Sequence, residues 1–170
     1  MLKLIHTLSL MLASNIIYSQ DAISEIETIT RNGLVYHQLS TKLLSGILLS
    51  FHENGQLKSE ENYINGKKQG LSKKFNKNGY LYAKGHYIDG VREGKHKWFY
   101  EGGQVQSTQD YQGGEAHGLS EIFHLNGTLL SRVNFIEGKR DGLENIFTVT
   151  GALQQRRHYK NGILIHITNP

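Results

Sequence analysis

Apolar residues alternate with polar ones along most of the chain. From Gly46 onward, the apolar positions of the first unit stand at odd offsets from that glycine, namely Ile47, Phe51, Leu57 and Tyr63. A period of two is typical of β-strands, because successive side chains point to opposite faces. We therefore predict that these four residues share one face. The other face is expected to carry Ser50, His52, Lys58, Glu60 and Asn62.

The same pattern returns every 24 residues, five times in succession. Fifteen of the 19 glycines keep this spacing: Gly46, Gly70, Gly94, Gly118 and Gly142; Gly55, Gly79, Gly103, Gly127 and Gly151; Gly66, Gly90, Gly114, Gly138 and Gly162. Aromatic columns follow it at Phe51, Phe75, Phe99, Phe123 and Phe147, and at Tyr63, Tyr87, Tyr111, Phe135 and Tyr159. A fixed period of this length is the signature of tandem structural repeats.

Each repeat is predicted to be a β-hairpin. Asn54-Gly55 stands between two alternating runs, and Asn-Gly favours a hairpin turn because both residues tolerate positive φ. The segment from Asn65 to Gly70 is expected to lead the chain into the next hairpin. Five hairpins give ten strands, so we predict an all-β protein: an elongated single sheet of tandem 24-residue hairpin repeats, roughly 45 to 50 Å long at about 4.8 Å per strand.

The two ends of the chain depart from the repeat. Residues 1–19 resemble a secretory signal peptide, with Lys3 before a mostly apolar stretch from Leu4 to Ile17 and a small residue, Ser19, before the expected cleavage point. That stretch is shorter than the roughly 20 residues of a membrane-spanning helix. We therefore expect export to the periplasm, the cell surface or the medium. A buried N-terminal helix of a cytoplasmic protein is the alternative.

The remaining segments are assigned around the repeats. Residues 20–29 are expected to be a linker, and residues 30–45, which contain Asn32-Gly33, a degenerate capping hairpin. Residues 46–165 hold the five repeats. Residues 166–170 are expected to be the end of a closing strand in which Ile163, Ile165 and Ile167 alternate with other residues.

The composition of the chain excludes several kinds of binding partner and active site. The net charge of +4 comes from 19 basic and 15 acidic residues, which predicts only a mild attraction for anionic partners and no nucleic-acid binding. The absence of cysteine excludes disulfides, thiolate zinc sites and thiol nucleophiles. No phosphate-binding loop, nucleophile elbow or paired-carboxylate motif occurs, and the histidines are scattered over separate repeats. We therefore expect no enzyme activity, no metal site and no cofactor.

Two sets of residues are candidates for an interaction surface. The position after the phenylalanine column varies between repeats, so His52, Tyr100 and His124, together with Glu121, are expected on a variable outer face. Basic pairs occupy equivalent turns at Lys67-Lys68 and Lys139-Arg140. Solvated surface charge is the simpler explanation of these pairs. The phenylalanine column, by contrast, is expected to form the core, although aromatic rows also act as stacking platforms in some binding proteins.

The repeat unit resembles a known family. The pattern Asn65-Gly66-x-x-x-Gly70-x-x-x-x-Phe75-x-x-Asn78-Gly79-x-Leu81, repeated at Gly138-x-x-x-Gly142-x-x-x-x-Phe147, is similar to the MORN-repeat variant of many bacterial proteins, including YwqK-type antitoxins. The resemblance covers about residues 31–162. It implies a sheet of tandem hairpins. The chain departs from the classical MORN unit two residues after the first glycine, where it has Leu48, Ser72, His96, Ser120 and Glu144.

The function expected from these observations is that of an exported, non-catalytic interaction module. Its partner is predicted to be a protein, whose identity the sequence does not give, and antitoxin-like neutralisation is a special case that the resemblance implies. The alternative is a cell-envelope binder of glycan or anionic lipid, acting through the basic turns and exposed tyrosines.

Overall fold

The computed structural model describes residues 22–170, so the predicted signal peptide lies outside the described residues. This part of the chain is almost entirely β-structure, with a single 3-10 turn at Glu25–Glu27. The strands are β1 Ala22–Ser24, β2 Thr28–Arg31, β3 Leu34–His37, β4 Gly46–Phe51, β5 Leu57–Ile64, β6 Lys67–Phe75, β7 Leu81–Ile88, β8 Val91–Phe99, β9 Val105–Gln112, β10 Glu115–Phe123, β11 Leu129–Ile136, β12 Lys139–Phe147, β13 Leu153–Lys160 and β14 Ile163–Thr168.

Twelve of these strands form one long sheet. From β4 to β14 every strand pairs with its neighbours in the sequence, so the sheet is a continuous antiparallel meander, and β1 joins it parallel to β4. Strands β2 and β3 form a separate hairpin. The prediction of an all-β sheet of successive hairpins is confirmed. The ten repeat strands are extended by β1 at one end and β14 at the other. No helix within residues 22–170 has the length and apolar character needed to cross a membrane.

The two faces of the sheet differ from the prediction. Register places Tyr63 opposite Gly46 and Glu61 opposite Leu48, whereas Asn62 lies opposite Ile47. Odd-numbered residues of β5 therefore share a face with even-numbered residues of β4, and counting offsets across the turn assigned Tyr63 to the wrong side. A bulge after Ser50 then brings Phe51 opposite Leu57.

We name the two faces by their aromatic columns. The tyrosine face carries Leu48, Ser50, Ser59, Glu61 and Tyr63 with their equivalents in the other repeats. The phenylalanine face carries Ile47, Leu49, Phe51, Leu57, Glu60 and Asn62 with theirs. Glu60 and Asn62 were expected on the other face from Ile47 and Phe51. They lie on the same face as those two residues.

The turn chemistry also differs in detail. In the Glu53–Gln56 loop only Gly55 has positive φ, so Asn54-Gly55 is not a turn with two left-handed residues. That geometry occurs instead between β5 and β6, where Asn65 has φ 49° and Gly66 has φ 75°. Both connections reverse the chain, but the tight two-residue turn is the one that joins successive repeats.

The N-terminal cap includes residues that were expected to be a linker. Within residues 20–29, the strand Ala22–Ser24 pairs with Ile47–Leu49 and the strand from Thr28 begins the separate hairpin. That hairpin is anchored to the first repeat by Val35, whose backbone N–H donates to the Gly66 carbonyl at 2.9 Å. Val35 and Leu44 pack with Leu48 and Tyr63 in a small apolar core. The β2–β3 hairpin therefore covers backbone groups and apolar side chains that would otherwise be exposed at this end of the sheet.

The other end is closed by β14, which begins at Ile163 and so crosses the boundary predicted at residue 165. Repeats are also linked along the tight turns. The Gly90 N–H donates to the Lys68 carbonyl at 2.9 Å, and the Gly114 N–H donates to the Arg92 carbonyl at 3.0 Å. The sheet is thus held together at its turns as well as by strand pairing.

The phenylalanine column does not form a buried core. Phe51 is 47% exposed, and the other four phenylalanines are only partly buried. The physical reason is that a single-layer sheet has no second layer to cover this face. Each ring is shielded only by its neighbours in the same face, so the expectation of core burial for this column is wrong.

Candidate interaction surfaces

A ladder of cations and aromatic rings lies along the tyrosine face. The side chains of Lys68, Arg92 and Arg140 each lie over the aromatic ring 19 residues later in the chain. The distances from the charged group to the ring centre are 5.3 Å at Tyr87, 5.0 Å at Tyr111 and 5.3 Å at Tyr159. At this range the ring quadrupole attracts the cation. The arginines also donate to the tyrosine hydroxyls, at 3.0 Å from Arg92 and 3.4 Å from Arg140.

One repeat lacks this pair and shows what the contact requires. Ala116 takes the place of the cation, and the aromatic residue 19 positions later is Phe135 instead of tyrosine. The hydroxyl is therefore missing where no guanidinium or ammonium group is present to approach it. At the N-terminal end Leu44 occupies the same place and packs with Tyr63.

A row of polar side chains is buried at the centre of the tyrosine face, although it was not predicted. Its members include Glu61, Ser72, His96, Gln109 and Glu144. Glu61 shows how such a group is stabilised: its Oε1 accepts from Lys68 Nζ at 2.6 Å, and its Oε2 accepts from the Tyr63 hydroxyl at 3.2 Å. Burial, with the Glu61 charge nearby, raises the pKa of Tyr63 and keeps this hydroxyl a donor.

His96 is the largest member of this row and is 4% exposed. Its ring lies against Tyr87 and Tyr111, with ring centres at 5.4 and 4.9 Å and edge-to-face geometry. The Nε2 atom donates to the His86 carbonyl at 2.8 Å. Burial lowers the pKa of His96, and the nearby Arg92 charge acts in the same direction. The neutral ring is therefore the form that the fold favours.

The variable column after the phenylalanines has contacts that the sequence did not reveal. His52 Nε2 bonds the Phe75 carbonyl at 2.8 Å, the Tyr100 hydroxyl donates to the Phe123 carbonyl at 2.8 Å, and His124 Nε2 bonds the Phe147 carbonyl at 3.2 Å. Each bond spans 23 residues and joins one repeat to the next. His52, Tyr100 and His124 are therefore partly buried links between repeats and not freely exposed outer-face residues, and their role in binding a partner stays a prediction.

Glu121 is likewise engaged within the fold. Its Oε1 accepts from Arg132 Nε at 2.9 Å and from Arg132 Nη2 at 2.6 Å. Its Oε2 is 3.4 Å from the Thr108 hydroxyl. The carboxylate is thus directed at neighbouring strands on the phenylalanine face.

The basic turns do not present four equivalent charges. Lys68 and Arg140 are held over tyrosine rings on the tyrosine face. Lys67 lies 3.7 Å from Asp89 in an exposed ion pair, and Lys139 is exposed. Lys68 is therefore partly buried, whereas Lys67, Lys139 and Arg140 are exposed, and Arg140 is nevertheless held against a ring.

Three lysines form an unbroken run across the phenylalanine face. Lys73 lies opposite Lys84, and Lys84 lies opposite Lys97, on three neighbouring strands. Lys73 pairs with Glu60 at 3.0 Å, and the Lys84 ammonium lies 5.5 Å from the centre of the Phe99 ring. Lys97 has no carboxylate within salt-bridge distance among the described residues. We call these three residues the lysine row.

The described residues assemble neither a metal-binding cluster nor a catalytic group. Within residues 22–170 no group of three or more histidine, aspartate and glutamate side chains could hold a metal ion. A shallow cleft of about 280 Å³ lies between the β2–β3 hairpin and the tyrosine face. Its polar wall includes Thr28, Thr30, Ser50 and Ser59, and the Ser50 and Ser59 hydroxyls bond each other at 2.6 Å. These hydroxyls form no arrangement of nucleophile, base and orienting group.

Comparison with known proteins agrees with this architecture. A family model described as MORN repeat variant matches residues 44–65, 92–112 and 116–137. The matched segments cover the pair β4–β5 and, except for the first residue of β8 and of β10, the pairs β8–β9 and β10–β11; the intervening strands β6 and β7 have the same lengths as β8 and β9. No curated protein matches the chain.

Proposed function

This chain carries repeats of the MORN variant family, and on that premise we propose that it is a non-catalytic interaction module that binds a protein partner outside the cytoplasm. MORN repeat variants form a repeat or binding module and are not an enzyme family. The absence of enzyme activity in this particular chain is part of the proposal. The proposal of a binding role is supported by a division among the residues. The glycines and aromatic residues that recur in every repeat form the turns and strands, whereas the side chains that differ between repeats lie on the two faces of the sheet.

The lysine row is the observation that supports this proposal best. Like charges directly opposite each other on neighbouring strands destabilise a sheet. Glu60 compensates the charge of Lys73, but within residues 22–170 Lys84 and Lys97 have no carboxylate within salt-bridge distance. An acidic surface laid across β6, β7 and β8 would offset the repulsion. We therefore propose that the partner contacts the phenylalanine face with acidic side chains.

The repeats themselves indicate that the lysine row is not needed for folding. The same positions of the fourth repeat hold Glu121 and Arg132, which pair at 2.6 Å. The first repeat has Leu49 and Glu60 there. Because the fold accepts a neutral or compensated pair at these positions, three adjacent positive charges are better explained by recognition of something outside the sheet.

The proposed location rests on the sequence of residues 1–19, which lie outside the described structure. Lys3, the apolar stretch from Leu4 to Ile17 and the small residue Ser19 support secretion. Antitoxin-like masking of a toxin is one form that this binding would take. It follows from the resemblance to YwqK-type proteins and requires that the toxin and this chain meet in the same compartment.

Affinity capture from native cells tests the proposal. The tagged protein is compared with a Lys84→Glu/Lys97→Glu variant and with Arg156→Glu, which changes an exposed cation outside the lysine row, at the position equivalent to Lys84 three repeats further along. We expect the double variant to lose a captured protein that the wild type and Arg156→Glu retain. Retention of all captured proteins by the double variant would contradict the proposed surface.

Binding to the cell envelope, the alternative function, is tested with the same lysine variants and with lipid vesicles. Binding of glycan or anionic lipid through the basic turns would depend on Lys67 and Lys139, since Lys68 and Arg140 are held over tyrosine rings. Vesicles with and without an anionic phospholipid are the probe. Salt-sensitive binding that is lost in Lys67→Gln/Lys139→Gln but kept in Lys84→Glu/Lys97→Glu would replace the protein-partner proposal with the envelope one.

A further inference from the structure

The last strand of the sheet differs from the repeat strand that it replaces. At positions where β12 has Lys139, Arg140, Asp141 and Glu144, β14 has Ile163, Leu164, Ile165 and Thr168. Four charged residues are thus exchanged for three large aliphatic residues and one threonine. Terminal units of repeat proteins usually become more polar, because their outer side faces water. This one has become more apolar.

β14 is also exposed at every residue. Ile163 is 66% exposed, Ile165 is 59% exposed and Ile167 is 45% exposed. Among residues 22–170, only β13 pairs with it, so its outer backbone N–H and C=O groups have no strand partner there. Edge strands that must stay unpaired usually carry charge, proline or a very short length. β14 has no charged residue and no proline.

The opposite end of the sheet offers a poorer partner edge. The strand there, Ala22–Ser24, has three residues and runs parallel to its neighbour, and the β2–β3 hairpin packs beside it. Head-to-tail stacking would have to join six exposed residues to these three. It would also repeat without closing, whereas pairing of identical edges is satisfied by two copies.

We propose that β14 pairs antiparallel with β14 of a second copy of this chain, about a two-fold axis at Ile165. β14 pairs with β13 through a bulge at Ile165, so Ile163 lies on the phenylalanine face, and Leu164 and Ile167 lie on the tyrosine face. An antiparallel partner strand therefore meets aliphatic side chains on both faces, and no carboxylate, ammonium or guanidinium groups are opposed. The product is a dimer with one continuous sheet of twelve strands from each copy. This inference is independent of the lysine row and of the proposed partner.

Analytical ultracentrifugation of the protein purified from full-length expression tests the dimer. We expect the wild type to sediment as a dimer, and Ile165→Lys to lose the dimer because it places two ammonium groups across the axis. Ile88→Lys is the matched control: Ile88 is 48% exposed, at the end of an internal strand. It is expected to remain dimeric.

Mixing two variants separates lost pairing from lost folding. Ile165→Lys and Ile165→Glu are each expected to be monomeric, and their mixture is expected to form a 1:1 heterodimer by opposing unlike charges at the axis. A monomeric wild type, dimeric Ile165→Lys, failure of the mixture to associate, or wild-type species that grow beyond a dimer would each overturn the proposal.

Discussion

His96 occupies the space that the missing side chain of Gly85 leaves open on the tyrosine face. Gly85 in β7 lies beside His96 in β8, next to the paired residues Lys84 and Lys97, and a Cβ on Gly85 would overlap the imidazole ring at Nδ1, Cε1 and Cγ. This glycine has no positive φ and does not belong to the 24-residue glycine series. It is required by the neighbouring ring and not by its own backbone.

Gly85→Ala should therefore destabilise the protein by about 1 to 3 kcal/mol, the usual cost of overpacking. The cost should almost vanish in a His96→Ser background, because Ser72 and Ser120 show that serine fits the same column. Urea denaturation of the two single variants and the double variant measures the coupling. Equal costs of Gly85→Ala in both backgrounds would show that the ring is not the obstacle.

Stability should also depend on pH through His96. Burial lowers the folded-state pKa of this histidine below its ordinary value near 6.5, so the unfolded chain binds the proton more readily. The stabilising contribution is therefore complete above about pH 6.5 and is lost as the pH falls toward the folded-state pKa. Urea midpoints between pH 7.5 and pH 5, measured for wild type and His96→Ser, should converge as the pH falls. A constant difference would contradict this assignment.

The repeat, the hairpins and the long sheet could be predicted because they follow from periodicity. Glycines and aromatic residues at a spacing of 24 identify equivalent positions regardless of the details of each contact. The assignment of faces failed at Tyr63, because it depends on how many residues the Glu53–Gln56 loop and the following bulge consume. One bulged residue changes which side chains meet, and alternation alone does not locate the bulge.

The roles of individual side chains were harder to predict for a related reason. The column of Leu48, Ser72, His96, Ser120 and Glu144 varies as a surface would, yet most of it is buried. Each residue is accommodated by its cross-strand neighbour, such as Gly85 for His96. A variable column in a repeat therefore does not by itself indicate an outer face. Two columns that change together are more informative about contacts: where the arginine or lysine is replaced by Ala116, the tyrosine 19 residues later is replaced by Phe135.

The cation–aromatic ladder predicts a measurable coupling between Arg92 and Tyr111. The guanidinium lies over the ring and donates to its hydroxyl, so the two groups should stabilise the sheet together by about 0.5 to 1 kcal/mol. Arg92→Ala should cost that much more in the wild type than in Tyr111→Leu, which removes both the ring and the hydroxyl that the guanidinium contacts. A double-mutant cycle by chemical denaturation gives the value. Purely additive effects would mean that the contact contributes nothing.

Tyr100 tests whether the variable column links the repeats. Its hydroxyl donates to the Phe123 carbonyl at 2.8 Å, so Tyr100→Phe removes a bond between repeats without changing the shape of the ring. We expect a loss of about 0.5 to 1.5 kcal/mol in the free energy of unfolding.

Tyr82→Phe is the matched control for this change, because Tyr82 is 42% exposed and its hydroxyl has no hydrogen bond to any described residue. Its free energy of unfolding should change by less than about 0.5 kcal/mol. The two variants are compared by urea denaturation under identical conditions. Equal, small changes in the free energy of unfolding would show that the Tyr100 hydroxyl does not link the repeats. A loss of stability confined to Tyr100→Phe would show that this column helps to hold the repeats together. Substitutions in the column would then weaken partner binding partly by destabilising the sheet. Binding measured for such variants must therefore be compared at equal fractions of folded protein.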